Sequence, residues 1–249
     1  MPDSIYGYLL SALAVLVVLT IHEFSHAYAA YKLGDRTAQS LGRLTLNPIK
    51  HLDPIGALCL VFFHFGWAKP VPINARNFKK PRFHFALTAL AGPLSNLIVA
   101  FFSSLLYLVV WALFTKVILI PTENQFIIAF IGNILSFIYV FHQINIGIAL
   151  FNLIPVPPLD GSRIFLTFLP PKAYFGIMKY ERYIYFGLIG WLFIGDFLKT
   201  ILMAIPFISA SRILSAIVGV LSLSDMLSTL FGYVSNLMFM FWELIPFLR

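Results

Sequence analysis

Charged residues are scarce in this chain. Asp, Glu, Lys and Arg make up 11% of its 249 residues, whereas a typical soluble domain carries about 25%. This scarcity, together with 60% hydrophobic residues and a mean hydropathy of +0.89, excludes an ordinary soluble globular protein. The composition predicts an integral membrane protein embedded in a lipid bilayer.

Cysteine is nearly absent, and acidic residues are few. The single cysteine, Cys59, excludes an internal disulfide and a cysteine-based zinc site within one chain, and we interpret it as a small apolar side chain. The 10 acidic residues stand against 17 basic ones, which gives a net charge of +7. The basic residues cluster between hydrophobic segments, which is typical of cytoplasmic loops and does not indicate a nucleic-acid partner.

Long apolar runs dominate the chain instead. They lie at about residues 4–31, 83–115, 126–154, 183–205, 208–223 and 226–248. The fifth run is short for a span, so we expect an all-α polytopic membrane protein with five to six transmembrane helices. No Lys or Arg precedes the first run, which favours a retained helix over a cleaved signal peptide. We expect a catalytic membrane core at residues 1–170 and C-terminal transmembrane helices at 171–249.

The loop after the first run, at about residues 32–82, is strongly basic. Its only acidic residues are Asp35 and Asp53. Because loops rich in Lys and Arg stay in the cytoplasm, this loop is predicted to be cytoplasmic and the N-terminus to lie outside.

The same loop has a mixed character. Residues 57–65 are apolar but too few to cross a bilayer, which predicts a re-entrant or interfacial segment. Residues 41–47 and 71–73 have the composition of short strands, and prolines interrupt the regions around them. We therefore expect a membrane-associated re-entrant, β-like loop at residues 41–75, directly after the first helix.

Five residues near the end of the first run carry the clearest chemical signal. His22-Glu23-Phe24-Ser25-His26 has the pattern H-E-x-x-H, which places two imidazoles one helical turn apart with a carboxylate beside them. The alternative is a helix end whose polar side chains are merely satisfied. Ionisable groups at membrane depth are costly, however, so the pattern favours a zinc site.

Two histidines leave a catalytic zinc one protein ligand short. The candidates at membrane depth are Asp160, His142, Asp196 and Glu243. Asp160 follows the prolines at 155–158 and precedes a glycine, so its carboxylate can project from irregular backbone. His142 lies within a long helical run and is more typical of a hydrogen-bonded core histidine. The other two acids have simpler explanations, an ion pair with Lys199 and an interfacial position.

Two separated motifs resemble a known family. His22–His26 in a transmembrane helix, together with Asn152-Leu-Ile-Pro-Val-Pro-Pro-Leu-Asp160-Gly161, resembles the site-2 protease family of intramembrane zinc metalloproteases, peptidase family M50. Shorter motifs look like the short branch without PDZ or CBS domains. They are GRLTLNP at 42–48, HLDPIG at 51–56, GWAKPVP at 66–72 and AGPLSN at 91–96. The resemblance covers about residues 21–163.

The resemblance implies a catalytic arrangement. One zinc ion would be held by His22, His26 and Asp160, with Glu23 as the catalytic base. Asn152 stands where the family has an asparagine that orients the substrate or stabilises the oxyanion.

Asn152 also has a plainer interpretation. Its amide can make a helix-end hydrogen bond to a carbonyl that is freed near Pro155. Asn145 and Asn96 have weaker claims to the substrate-orienting role. These alternatives stay open at the level of sequence.

The expected function is hydrolysis of a peptide bond within or beside a transmembrane segment of a membrane-protein substrate. The strand-like loop would either hold that substrate extended or simply cover the site. The alternatives are a membrane zinc transporter and an inactive zinc-binding scaffold. A transporter would line a path across the full depth, whereas these groups gather at one level near the cytoplasmic face, and a scaffold would be expected to have lost Glu23. The sequence names neither the substrate nor the oligomeric state.

Overall fold

The computed structural model describes residues 5–56, 68–117, 124–205, 207, 211, 214–215, 218 and 222–249. Within these ranges no strand is formed, and one isolated antiparallel bridge joins Leu52 and Ala68. The α-helices include α1 (Ile5–Lys32), α2 (Thr37–Ser40), α3 (Pro81–Ala112), α4 (Gln125–Asn152), α5 (Asp160–Leu166), α6 (Pro171–Lys179), α7 (Glu181–Met203) and α8 (Leu223–Trp242). Short 3-10 helices lie at Pro48–Lys50, Ala75–Asn77 and Pro246–Leu248, and a π-helical turn, Leu113–Val117, extends α3.

Four of the described helices are long and apolar enough to cross a membrane. They are Gly7–Lys32, Pro81–Lys116, Gln125–Asn152 and Glu181–Met203. These helices coincide with the first four predicted runs, so the all-helical, multi-pass class of the chain is confirmed. The predicted run at 208–223 and the residue Cys59 fall largely or wholly outside the described residues.

The strand structure expected at residues 41–47 and 71–73 is not formed. Proline has no N–H to give to a β-ladder, and Pro70 and Pro72 flank Val71. The N–H of Val71 is donated over 2.8 Å to the carboxylate of Glu23 instead of to a strand. The expectation of strands is therefore wrong for these residues, while the apolar stretch at 57–65 lies outside the described residues.

Helix α3 lies at the centre of the fold, against α1, α4, α5 and α8. Its buried face is a stripe of small or short side chains that recur every three or four residues and end in two adjacent serines. These are Ala86, Ala89, Gly92, Asn96, Ala100, Ser103 and Ser104. Because apolar lipid supplies no hydrophobic driving force between helices, small residues that let backbones approach closely are the usual basis of membrane helix packing.

His142 joins three helices inside this core. The fully buried ring on α4 donates from Nδ1 to the carbonyl of Ala100 on α3, at 2.8 Å, and its Nε2 lies 2.9 Å from the hydroxyl of Ser235 on α8. Because Nδ1 faces a carbonyl and carries the hydrogen, Nε2 accepts from Ser235. His142 is therefore a hydrogen-bonded core histidine, as the sequence predicts.

Hydrogen bonds to Asp35 hold the loop after α1 in place. Its buried carboxylate accepts the N–H and the hydroxyl of Thr37 at 3.0 and 2.5 Å, the N–H of Asn74 at 2.7 Å and the amide of Asn77 at 2.7 Å. Arg43 donates to the carbonyl of Lys69 at 2.6 Å. These contacts hold residues 69–77 against the end of α1.

Burial raises the pKa of Asp35, but the hydrogen bonds from Thr37, Asn74 and Asn77 outweigh burial and hold the pKa below its usual value. A carboxyl with a lowered folded-state pKa stabilises the fold fully above its unfolded-state pKa of 3.8, and this contribution is lost as the pH falls through the folded-state value.

We expect Asp35→Asn to lower the free energy of unfolding by about 2–4 kcal/mol at neutral pH, because an amide NH2 would face the donors that the carboxylate now accepts. The measurement is thermal unfolding in detergent, with Asp53→Asn as the control. Within the part of the chain that the structure describes, Asp53 bonds to the N–H groups of Ile55 and Gly56 alone, so a small effect is expected there. The difference between wild type and Asp35→Asn should be constant from pH 5 to 8 and shrink below pH 3.8. Equal losses in both variants would contradict the anchoring role.

Candidate metal centre

Three side chains that the sequence singles out converge on one point. The Nε2 atoms of His22 and His26 lie 3.0 Å apart. The Oδ2 atom of Asp160, which is 138 residues beyond His22, lies 3.1 Å from the first nitrogen and 3.2 Å from the second. Both imidazoles are buried, and their rings meet edge to face. The three atoms therefore form a nearly equilateral triangle that could hold a metal ion.

Glycine at position 92 makes this convergence sterically feasible. A Cβ atom added there would lie 2.4 Å from Nε2 of His26 and 2.7 Å from Cε1 of His22, closer than non-bonded atoms approach. Only glycine lets both imidazoles lie against the backbone of α3. The ring of His26 is held from the other side, since its Nδ1 donates to the carbonyl of Thr88 at 2.8 Å. The Nε2 lone pair of His26 therefore points at the centre of the triangle.

Asp160 reaches the histidines because the chain turns sharply after α4. Helix α4 ends at Asn152, and the proline-rich residues 153–159 form turns before α5 begins at Asp160. A Cβ atom at Gly161 would lie 2.2 Å from the carbonyl oxygen of Leu153, so only glycine allows α5 to start against the end of α4. The first residue of α5 is thereby placed below the two imidazoles.

The three donors fit a zinc ion in chemistry and in spacing. Tetrahedral zinc with bonds of about 2.0–2.1 Å to nitrogen and oxygen keeps its ligand atoms about 3.3–3.4 Å apart. The separations of 3.0–3.2 Å between these atoms are within a few tenths of an ångström of that value. Two imidazoles and one carboxylate also leave the fourth position open, as in catalytic zinc sites.

A cavity of about 240 Å³ opens beside this triangle. Its polar lining consists of His22, Glu23, His26, Asn152, Asp160 and Arg163. The remaining lining is apolar and comes from the loop at 70–73, from Phe85 and Ala89 on α3, and from Pro158 and Leu159. The cavity thus combines an apolar lining with the polar side chains of the triangle and its neighbours.

Glu23 and Asn152, the two predicted catalytic residues, both line this cavity. The Oε2 atom of Glu23 accepts the N–H of Val71, which orients the carboxylate. The amide of Asn152 donates to the carbonyl of Ile148 at 2.9 Å, which is a helix-end bond of the kind expected as the alternative. One of its two amide hydrogens is thereby used, and its substrate-orienting role stays a prediction.

The other candidates lie elsewhere. The carboxylate of Asp196 accepts from Ser222 and Ser224, and Lys199 pairs with Asp225 rather than with Asp196 as expected. The intrahelical pair fails because the start of α8 brings hydroxyls and a second carboxylate to α7. Glu243 directly follows the last residue of α8, Trp242.

Sequence reasoning missed the contact of Asn96 with His22 and the place of Arg163 in the cavity. Asn96 is fully buried and lies on the far side of His22, with its Oδ1 at 2.9 Å from Nδ1, so it faces the histidine and does not line the cavity. Arg163 lines the cavity while paired with Glu181 at 2.7 Å. The signal available for Asn96 was its spacing from Thr88 and Gly92, since positions four apart share a helix face.

Comparison with known proteins gives a consistent result. The family model of peptidase family M50 matches residues 10–184. The chain is 43% identical over 182 residues to "Putative zinc metalloprotease YwhC" of Bacillus subtilis, which covers 73% of this chain and 78% of that protein. It is 29% identical over 165 residues to "Putative zinc metalloprotease Rip2" of Mycolicibacterium smegmatis, which covers 64% of this chain and 56% of that protein. No solved structure matches the chain significantly.

The family match extends over more than half of the chain and includes the helix of the two histidines, the glycine of α3 and Asp160. The relative from Bacillus subtilis is matched over most of both chains. The resemblance drawn from the sequence motifs is therefore confirmed, and the chain belongs to peptidase family M50.

Proposed function

We propose that this membrane protein hydrolyses peptide bonds within or beside the transmembrane segments of other membrane proteins, with one zinc ion held by His22, His26 and Asp160. The observation that carries the proposal is the convergence of three ligand atoms at 3.0–3.2 Å at one end of a cavity that also contains Glu23. Membership of family M50 makes the protein a zinc metalloprotease of the site-2 protease type.

Glu23, Val71 and Asn152 have separate roles in the proposed hydrolysis. A zinc ion in the site would supply Lewis-acid chemistry, activating water and polarising the scissile carbonyl. Glu23 takes the proton of the attacking water and passes it to the leaving amine as the C–N bond breaks. The N–H of Val71 holds one oxygen of that carboxylate, which leaves the other oxygen for the proton. Asn152 donates its remaining amide hydrogen toward the oxyanion, a contact worth about 2.7–4 kcal/mol in comparable sites.

The substrate class follows from where the cavity lies. The histidines belong to a candidate membrane span, and the cavity wall is largely apolar. A helical substrate hides its amides in hydrogen bonds and must unwind before it can be cut. The loop at 69–73 offers few donors for strand addition, because Pro70 and Pro72 lack N–H groups and Val71 is engaged with Glu23. These contacts favour coverage of the site by the loop.

Membrane topology completes the proposal. The N-terminus lies outside and the site lies near the cytoplasmic face, because the basic loop follows α1 directly. Residues 1–170 form the catalytic core and residues 171–249 add C-terminal spans to it, for five to six in total. Helix α8 packs against α4 and α3, since Ser235 contacts His142 and the indole of Trp242 donates to the carbonyl of Phe101 at 3.0 Å.

Neither a zinc transporter nor an inactive scaffold is favoured by the family match or by the residues that the structure describes. A zinc-flux assay in vesicles, run beside a cleavage assay, separates transport from proteolysis.

Glu23→Gln should keep zinc and lower cleavage by at least about 100-fold, because the amide cannot accept the proton of water. The measurement pairs zinc stoichiometry by elemental analysis with membrane proteomics of cells that express wild type or variant. Transmembrane fragments should accumulate as uncut precursors only with the variant. Undiminished cleavage by a pure Glu23→Gln preparation would remove Glu23 from the mechanism.

Asp160→Asn should lower both zinc content and activity, because a neutral amide is a poor ligand for zinc. Asp196→Asn is the matched control, since that carboxylate bonds to serines at the α7–α8 contact. If Asp160→Asn still binds one zinc per chain with wild-type affinity, the third ligand lies elsewhere.

Gly92→Ala should also weaken zinc binding, since its Cβ would displace both imidazoles from the centre of the triangle. Gly132→Ala on α4 is the control, because a Cβ there meets nothing within 4 Å. The test is competition with a chromophoric chelator. Equal zinc affinities of the two variants would show that α3 does not confine the rings.

A further inference from the structure

A chain of buried amides connects His22 to the backbone of α4. The Oδ1 of Asn96 lies 2.9 Å from Nδ1 of His22, and the amide nitrogen of Asn96 donates to Oδ1 of Asn145 at 3.2 Å. The amide nitrogen of Asn145 donates in turn to the carbonyl of Phe141 at 2.8 Å. Both asparagines are completely buried. Neither of them lines the cavity, so contact with substrate does not explain them.

The direction of every bond in this chain is fixed from its far end. A backbone carbonyl only accepts, so Asn145 must turn its NH2 group toward Phe141 and its oxygen toward Asn96. Asn96 must then donate to Asn145, which leaves its own oxygen facing the imidazole. An oxygen acceptor in that position requires the hydrogen of His22 to be on Nδ1. The Nε2 atom of His22 is therefore left as a lone pair aimed at His26 and Asp160.

His26 has the same tautomer, with its hydrogen on Nδ1, because this nitrogen donates directly to the carbonyl of Thr88. Three lone pairs consequently meet at 3.0–3.2 Å with no hydrogen between them in the neutral state of the rings. Such an arrangement is repulsive by itself and is relieved by a cation at the centre. An imidazole that is free to change tautomer would also carry its hydrogen on Nε2, the atom that faces His26 and Asp160, and would then offer no lone pair to a metal ion.

We propose that Asn96 and Asn145 are positioning residues that lock His22 in the tautomer with its hydrogen on Nδ1, and that they thereby set the zinc affinity of the site. The inference rests on the proposed ligand set and extends it to a second layer of residues on α3 and α4. Outer partners of metal-bound histidines commonly contribute 10- to 100-fold to metal affinity.

The two asparagines could instead serve only to hold α3 and α4 together, and His142 provides a comparison that tests this alternative. His142 makes a second buried polar link between α4 and α3, to the carbonyl of Ala100, and a third contact to α8. That link has no contact with the histidines of the triangle. If the asparagines only hold helices together, removing them and removing His142 should affect the site alike.

The test uses the full chain in detergent with four variants: Asn96→Leu, Asn145→Leu, Asn96→Asp and His142→Leu. Zinc affinity is measured by chelator competition, the visible absorption of the cobalt-substituted protein reports ligand geometry, and thermal unfolding without metal reports stability. Asn96→Leu should weaken zinc binding about 10- to 100-fold and change the cobalt spectrum. Asn145→Leu should have a smaller effect, because Asn96 remains but can flip.

Asn96→Asp keeps an acceptor for His22 and should retain most of the affinity lost in Asn96→Leu, even where its stability falls. His142→Leu should lower stability and leave zinc affinity within about twofold of wild type. Wild-type affinity in Asn96→Leu, or an equal loss in His142→Leu, would overturn the inference while leaving the zinc site in place. Failure of the wild type to bind zinc would overturn the ligand set itself.

Discussion

The close approach of α1 to α3 at Gly92 is the contact on which the site depends. The two imidazoles occupy the space that any other side chain at position 92 would fill. Thr88, Gly92 and Asn96 are four residues apart and share one face of α3, so they meet His26 and His22 in antiparallel order. One helix face therefore supplies the room for the rings and both partners of their outer nitrogens.

The apolar bilayer explains why the buried polar side chains around the site have hydrogen-bond partners. An unpaired polar group at membrane depth costs several kcal/mol, and the buried side chains of His22, His26, Asn96, Asn145 and His142 each have a partner on a neighbouring helix or on their own backbone. Asn96, Asn145 and His142 together connect α1, α3, α4 and α8. The carboxylate of Glu23 follows the same rule through the N–H of Val71. Hydrogen bonding of buried polar groups and close packing of the helices therefore depend on the same feature of this core. The small side chains of α3 let the neighbouring helices approach closely enough for these bonds to form.

The sequence predicts the helices and the pairing of His22 with His26 well, because apolar length and motif spacing are local properties that survive folding. Asp160 lies 138 residues beyond His22, and its place beside the two histidines is expected from the family resemblance. The sequence predicts the loop poorly. Residues 41–47 and 71–73 have strand composition, but a partner for Val71 was supplied by a side chain of α1, which no local pattern encodes. From the sequence, Asn96 has only a weak claim to substrate and no link to His22, since spacing identifies its helix face but not the neighbour on that face. Lys199 pairs with Asp225 on another helix, again through tertiary contact alone.

The distance along the chain between His22 and Asp160 has a consequence for biosynthesis. On the proposed ligand set, a nascent chain that has inserted α1 holds two ligands and the base but lacks the third ligand for another 138 residues. At usual rates of translation this gap lasts roughly 7–28 s. Throughout that interval, His22, Glu23 and His26 lack the carboxylate of Asp160. On that ligand set, the growing chain cannot surround a zinc ion with all three ligands until its third span has been made.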